Sequence, residues 1–137
     1  MLLLSRMEEL VLIKSVKLKI WSREFTLPVD YDCLDDEVPT QVQIDAFDNF
    51  LAHPEWIDNS KAQLEAYCKK PVLEDDANQK KDNVFSYVMP ECVFIKCGEK
   101  QPRVALLCKY RYDPEHGLAV VFQPNGKTLV GTQDIIL

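Results

Sequence analysis

Apolar and polar residues alternate in short runs near both ends of the chain, and this period of two constrains the fold most. A period of two is typical of half-buried β-strands. Near the N-terminus the alternating apolar residues are Val16, Leu18 and Ile20, followed by Phe25, Leu27 and Val29. The short link between the two runs predicts a hairpin, and Pro28 predicts that the second strand lies at an edge or ends there.

The same alternation returns after residue 84, where turn residues separate the runs. We predict strands around residues 93–97, 104–112, 118–122 and 129–130. Asp113–Gly117 and Gly98–Pro102 have turn composition. Asn125-Gly126, which lies between two apolar runs, predicts a two-residue type I′ hairpin.

Two helices are predicted between these groups of strands. Thr40 and Gln43 have the spacing of a capping box. The apolar stripe that follows consists of Ile44, Phe47 and Leu51, widened by Val42, Ala46 and Phe50. His53-Pro54 ends this helix, and Pro54 starts a second one that carries Ile57, Leu64 and Cys68 on one face and ends before Pro71.

The order of these elements predicts an α+β fold. We expect an antiparallel sheet, made of an N-terminal hairpin plus a C-terminal meander, covered on one face by two helices. A chain of 137 residues has the length of one domain, so we expect a single domain over residues 1–137. Met7 is a candidate start residue, and residues 1–6 are then a disordered segment or a start-site extension.

Charge and cysteine usage narrow the class of protein. The chain has 16 basic and 22 acidic residues, and a net charge of −6 disfavours a nucleic-acid partner. The first apolar run is interrupted by Glu8 and Glu9, so we expect neither a secretory signal nor a membrane span. Five cysteines without a C-x-x-C pair indicate reduced thiols and a cytoplasmic protein.

Asp113, Glu115 and His116 form the densest group of candidate chemical residues. Two carboxylates and an imidazole on one turn can bind a ligand or perform acid–base chemistry. Alternatively, Asp113 stabilises a tight turn and His116 faces solvent. With two histidines and no nucleophile motif, we expect no catalytic residue, no metal and no cofactor.

A run of acidic residues is the second candidate site. It consists of Asp30, Asp32, Asp35, Asp36 and Glu37, with no base among them. Such a run can steer and bind a basic protein partner, or it can be a solvated loop. Trp21 and Trp56 are likewise either interface anchors or core residues.

The C-terminal region resembles a bacterial family of uncharacterised small domains. The resemblance rests on Asp113-Pro114-Glu115-His116-Gly117 and on Gly131-Thr132-Gln133-Asp134, with a looser match at Gln41 and Phe50-Leu51. It implies an α+β fold and a bacterial origin, and some similar proteins look like immunity proteins for toxins.

Three functional hypotheses follow from the sequence. The first is a non-catalytic protein-binding domain that uses the acidic run, with neutralisation of a basic toxin as one form of that function. The second is a ligand-binding protein or hydrolytic enzyme that uses Asp113, Glu115 and His116. The third is a scaffold subunit, and the sequence leaves its oligomeric state open.

Overall fold

The computed structural model describes residues 14–32, 39–69 and 84–137. Several predictions fall on other residues. The extension at residues 1–6, the polar segment at residues 74–83, and the acidic residues Asp35, Asp36 and Glu37 lie outside the described residues.

Within the described residues, six strands form one sheet in the order in which they occur in the chain. They are β1 (Ser15–Ile20), β2 (Arg23–Tyr31), β3 (Val88–Ile95), β4 (Val104–Tyr110), β5 (Leu118–Phe122) and β6 (Thr128–Gly131). The helices are α1 (Gln41–Ala52), α2 (Glu55–Asn59) and α3 (Lys61–Lys69), and short 3₁₀ turns lie at Val84–Tyr87 and Gln133–Ile135. The α+β class, the N-terminal hairpin and the C-terminal meander are therefore confirmed.

The sheet is mostly antiparallel, but β2 and β3 are parallel neighbours, so the prediction of a purely antiparallel sheet is wrong at this junction. Val29, Asp30 and Tyr31 pair with Val93, Phe94 and Ile95, respectively. The physical reason is the connection. The helices lie between β2 and β3 in the chain, and a crossover of that kind allows two strands to run in the same direction.

The prediction for Pro28 is also wrong, because β2 neither ends there nor lies at an edge. Pro28 is the last residue of β2 that pairs with β1, opposite Ser15, and pairing with β3 begins at the next residue, Val29. Proline therefore occupies the position where β2 changes partner, so its missing N–H interrupts neither row of hydrogen bonds.

Helix α1 begins as predicted. Both hydrogen bonds of the capping box between Thr40 and Gln43 are present, which confirms this prediction. The Gln43 side chain is 1% exposed, and its Nε2 donates to the carbonyl oxygens of Asp32 (2.7 Å) and Ile95 (3.1 Å). One buried amide thus ties the start of α1 to the parallel strand pair, which fixes where the rest of α1 lies.

The second predicted helix is divided in two at Ser60. Ile57 of α2 and Leu64 and Cys68 of α3 are buried, as the pattern predicted. The Ser60 hydroxyl donates to the carbonyl oxygen of Ile57 and accepts from the indole Nε1 of Trp21 at 3.0 Å. This side-chain bond to the backbone competes with regular helix formation, which accounts for the division.

Buried apolar residues form two clusters that use alternate positions of the strands. The larger cluster joins the helix residues Phe47, Phe50 and Leu64 to strand residues that include Ile95, Leu106 and Val120. The smaller cluster contains Phe94, Ala105, Ala119, Val121 and Ile136. Because neighbouring strand residues point to opposite faces, the two clusters lie on the two faces of the sheet.

The hairpin turns differ from the prediction. Gly126 has a φ of +86°, but Asn125 has no positive φ, so the predicted type I′ turn is wrong. The Gly126 N–H donates to Gln123, and the Gln123 N–H donates to Lys127, which closes a three-residue loop. Pro124 explains the change, since its fixed φ favours a type I turn followed by a left-handed glycine.

Positive φ at two successive residues occurs instead between β1 and β2. Trp21 has a φ of 49° and Ser22 a φ of 74°, and neither is glycine. Non-glycine residues rarely adopt this conformation, and each costs on the order of 1–2 kcal/mol. Trp21 is nevertheless buried, so its tertiary contacts offset this local strain.

Candidate binding site

A groove with a volume of about 350 Å³ lies between α1 and two hairpin turns. One wall is a stripe of α1 formed by Val42, Asp45, Ala46 and Asn49. These residues recur at intervals of three and four, so they share one side of the helix. We call this depression, with the floor and the opposite wall described next, the α1 groove.

The floor of the α1 groove is apolar, and the opposite wall is polar. Val104, Phe122 and Trp56 contribute to the floor. The polar residues Lys100 and Gln101 of the β3–β4 turn and Gln123 of the β5–β6 turn line the side opposite α1. An apolar floor with a few polar groups at the rim is typical of binding sites.

Trp56 is held in place from two sides. Its ring stacks on that of His53, with centroids 4.7 Å apart and planes 6° from parallel, and His53 Nδ1 lies 3.0 Å from a carboxylate oxygen of Glu55. On the other side, a Cβ added at Gly126 would lie 2.9 Å from the Trp56 Nε1. Glycine at this position therefore leaves room for the indole, and the indole is oriented before any ligand binds.

Val42 lies in this groove and is 42% exposed, although the sequence pattern placed it on the buried stripe. Phe47 and Phe50, which the same pattern selected, are fully buried. The difference arises because an apolar helical face can be wider than the surface that it packs against. The sequence pattern alone does not locate the edge of that contact.

Acidic residues are concentrated on the part of the chain that carries α1. Ten of the 22 acidic residues lie within residues 24–60, which contain no lysine or arginine, so the rest of the chain carries 12 acidic and all 16 basic residues. The acidic residues of α1 and α2, namely Asp45, Asp48, Glu55 and Asp58, are exposed. The signal lies in the distribution of charge along the sequence and not in any motif.

Asp48 also affects the half-buried residue Tyr31. The Tyr31 ring meets that of Phe47 edge-on, with centroids 6.0 Å apart, and burial, reinforced by the charge of Asp48, raises the pKa of Tyr31. The charge of Asp48 therefore acts on Tyr31, the last residue of β2.

The two described residues of the predicted acidic run lie in different surroundings. Asp32 is half-buried, its carboxylate is 3.8 Å from Lys96 Nζ, and it accepts from the backbone N–H of Cys97 at 3.4 Å. Asp30 is exposed and lies on the opposite face of β2 from its neighbours Val29 and Tyr31. Asp32 thus already has a basic partner within the chain, whereas Asp30 is accessible.

Asp113 and His116 interact directly, and the interaction is internal to their turn. The Asp113 carboxylate accepts from the backbone N–H of His116 at 3.2 Å and lies 3.0 Å from its Nδ1. The hydrogen bond and charge of Asp113 raise the pKa of His116. Glu115 is exposed beside them. The geometry is that of a carboxylate that stabilises a turn.

The two C-terminal motifs contact each other through Gln133. Its backbone N–H donates to the carbonyl oxygen of His116 at 3.2 Å, and its Nε2 donates to that of Cys108 at 3.1 Å. Gly117 has a φ of +65°, and a Cβ there would lie 2.6 Å from the Gln133 Nε2. The two motifs are therefore joined by a contact between the β4–β5 turn and the chain after β6.

The cysteines and carboxylates do not form a metal centre in the described part of the chain. Among residues 14–32, 39–69 and 84–137, no group of three or more histidine, cysteine or acidic residues has a geometry that could hold a metal ion. Burial raises the pKa of the Cys92 thiol to about 11, with Asp30 and Glu91 contributing. A thiol with a raised pKa is a poor nucleophile at neutral pH.

Comparison with protein families shows which family the chain is related to. A family described as a domain of unknown function, DUF6985, matches residues 7–137. The chain belongs to the DUF6985 family. The α1 groove and the Asp113–Gly117 turn both lie within the DUF6985 match.

Neither the curated proteins nor the solved structures contain a match to this chain. No helix in the described part of this DUF6985 member has the length and apolar character that a membrane-spanning helix requires.

Proposed function

We propose that this chain is a non-catalytic protein-binding domain that recognises a basic protein through its acidic side, which consists of the exposed carboxylates of α1 and α2. The observation that carries the proposal is the segregation of charge, with ten acidic residues and no lysine or arginine in residues 24–60. An acidic surface accelerates encounter with a basic partner and disfavours acidic ones.

The α1 groove supports this function because it adds apolar contact area to the charged surface. Interfaces combine an apolar centre with a polar rim, and tryptophan is among the residues that contribute most to binding free energy. Trp56 is half-buried, is oriented by His53 and lines the same groove as the exposed Asp45 of α1. The groove therefore has the composition expected of an interface centre.

Neutralisation of a toxin is the form of this function that we favour. It is supported by the resemblance of the C-terminal motifs to proteins that look like immunity proteins, and by the acidic charge, which suits a basic toxin. In that role the protein is cytoplasmic and bacterial, and it acts by covering the active site of its partner rather than by chemistry of its own.

A ligand-binding or hydrolytic role for Asp113, Glu115 and His116 has less support. The Asp113 carboxylate already accepts from His116, and the turn as a whole is held by Gln133. These contacts give Asp113 and His116 a structural role that requires no ligand.

We also propose that α1 and α3 cover the face of the sheet that carries Ile95, Leu106 and Phe122. What supports this is the shared apolar cluster, in which Phe50 of α1 lies 5.2 Å from Phe122 between ring centroids. The α1 groove then lies at the rim of the helical layer, where a partner can reach it.

The test compares two double charge reversals in the immobilised full-length protein. Asp45→Lys with Asp48→Lys changes the acidic side, and Glu115→Lys with Asp134→Lys changes net charge equally at the C-terminal turn. Proteins captured from native lysate at low salt are identified by mass spectrometry. We expect the wild type and the Glu115/Asp134 variant (the turn variant) to retain the same basic proteins at low salt. The Asp45/Asp48 variant (the α1 variant) should not retain them, and high salt should release them from the wild type.

The opposite result would contradict this function. If the turn variant alone loses its captured proteins, the site lies at Asp113–His116. If the wild type and both variants retain the same proteins, the acidic side has no part in binding.

A further inference from the structure

We propose that the α1 groove binds an extended segment of the partner in which an apolar side chain is followed by lysine or arginine. This inference rests on the function proposed above and specifies the chemistry of the partner. It assigns the apolar side chain to the floor at Trp56 and Phe122, and the basic side chain to the wall of α1 at Asp45.

The length of the α1 groove suits a short extended segment. Val42 and Asn49 bound the α1 wall and are seven residues apart, which corresponds to about 10 Å of helix at a rise of about 1.5 Å per residue. An extended chain advances roughly 3.3 Å per residue, so about three residues match this length. Ala46 lies half-buried between Val42 and Asn49, and its small side chain allows close approach.

The floor requires an apolar side chain in the segment. Trp56, Val104 and Phe122 line the groove, and Val42 adds apolar surface at its rim. Apolar surface removed from water contributes roughly 25 cal/mol per Å², so an aliphatic side chain gains most on this floor. A purely ionic ligand would leave the floor hydrated.

Charge on the two walls sets the direction of the segment. The acidic residue Asp45 of α1 lines the groove, and the exposed Asp48 lies on the same helix. The opposite side is lined by one cationic residue, Lys100, and by the neutral residues Gln101 and Gln123. A cationic side chain of the bound segment is therefore attracted to Asp45 and repelled by Lys100. Lysine and glutamine side chains can instead donate hydrogen bonds to the backbone carbonyl oxygens of the segment.

The two tryptophans make the proposal directly measurable in the full-length protein. Trp21 is 3% exposed and its indole N–H is bonded to Ser60, whereas the Trp56 indole lies in the groove. In ¹⁵N–¹H correlation spectra the two indole signals therefore act as internal control and reporter. The probes are three capped tetrapeptides: acetyl-Arg-Leu-Arg-Leu-amide, its Glu-for-Arg analogue and its Gly-for-Leu analogue.

We expect the Arg-Leu peptide to move the Trp56 signal in a saturable way and to leave the Trp21 signal unchanged. The Gly-for-Leu and Glu-for-Arg peptides should each cause at most a weak shift of the Trp56 signal. Equal shifts with the Glu-for-Arg peptide, or no shift of the Trp56 signal with any peptide, would overturn the proposal. A shift of both indole signals would show binding elsewhere, which also overturns it.

Charge variants test the assigned direction. Asp45→Lys should weaken binding of the Arg-Leu peptide by about two- to fivefold, and Lys100→Glu should strengthen it by a similar factor. Asp58→Lys, an exposed reversal on α2 outside the groove lining, is the control and should have a smaller effect than Asp45→Lys. An equal loss in Asp45→Lys and Asp58→Lys would mean that net charge, not the groove, governs binding.

Failure of this inference is distinguishable from failure of the proposed function. If lysate capture depends on Asp45 and Asp48 but the Trp56 signal is insensitive to the peptides, the acidic side binds proteins and the groove is not the docking point. If the peptides bind and no basic protein is captured, the α1 groove binds the proposed segment, but the proposed function is wrong.

Discussion

The two tryptophans of this chain are each tied to a hairpin turn, in opposite ways. Trp21 forms part of its turn, has a positive φ, and is buried with its indole bonded to Ser60. Trp56 lies outside its turn and contacts it at Gly126, where the positive φ belongs to a glycine. The first turn therefore depends on its tryptophan, whereas the second makes room for one.

This contrast separates a structural tryptophan from a candidate binding tryptophan. At Trp21, burial of a large ring against Phe85, at 5.5 Å between centroids, offsets a strained backbone. At Trp56 the backbone of the neighbouring turn is relaxed, and the ring remains partly exposed in the α1 groove. The tryptophan that the fold does not fully bury is the one that is available to a partner.

The largest expected effect comes from truncating each tryptophan in turn. Trp21→Ala should reduce the free energy of unfolding by about 3–5 kcal/mol, because it removes a fully buried ring. Trp56→Ala should cost clearly less, since part of its ring is already in water. Urea denaturation measures both losses in the free energy of unfolding, provided that each variant has the same m-value as the wild type. Equal losses would remove the distinction between the two residues.

Ser60→Ala tests whether the hydrogen bond, rather than the ring alone, stabilises the first turn. The substitution leaves the buried Nε1 of Trp21 without the acceptor at 3.0 Å, and we expect a loss of about 1–3 kcal/mol. Asn59→Ala, a change at the exposed adjacent residue, is the control. If both variants unfold at the same urea concentration, the indole bond does not contribute to stability.

Gly126→Ala and Gly98→Ala sharpen the comparison at the second turn. Both glycines have positive φ, so each alanine should cost about 1–2 kcal/mol. Only at Gly126 would the new Cβ meet the Trp56 indole, since nothing lies within 4 Å of a Cβ at Gly98. We therefore expect the Trp56 indole signal to move in Gly126→Ala and to stay in place in Gly98→Ala. A Trp56 signal unmoved in both would mean that Gly126 serves the backbone alone.

The smallest expected effect concerns a third turn, at Asp113–His116, and is a dependence on pH. Because Asp113 raises the pKa of His116, the charged imidazole stabilises the folded state. That contribution is fully present below the unfolded pKa of about 6.5 and is lost as the pH rises through the higher folded value. Asp113→Asn should lower the pKa of His116 in an NMR titration. An unchanged midpoint would show that the pair is not coupled.

Local sequence was sufficient where capping, periodicity or turn composition within one segment defined the element. The capping box of Thr40 and Gln43, the strand at Leu118–Phe122 and the turn at Asp113–Gly117 follow from neighbouring residues, and all three are present. The candidate site was less predictable. Trp56 was open to two interpretations, and Val42 was placed in the core.

Contacts between distant residues decided the rest. The amide of Gln43 bonds to residues 11 and 52 positions away in the chain, and Gln133 reaches back 25 positions to Cys108. No pattern within a window of neighbouring residues encodes such contacts. The acidic run illustrates the same limit, because Lys96, which pairs with Asp32, directly follows β3 and is distant from Asp32 in the chain.

The sequence by itself determined the α+β class, the alternation of the strands, the start of α1 and the excess of acidic residues near it, because these depend on periodicity, capping and composition. Only the tertiary structure decided that β2 and β3 run parallel, that Trp21 tolerates a positive φ, and that Trp56 and Asp45 line one groove. Each of these is the outcome of a competition between local backbone preference and burial against distant residues, and the burial partner is known only once the chain has folded.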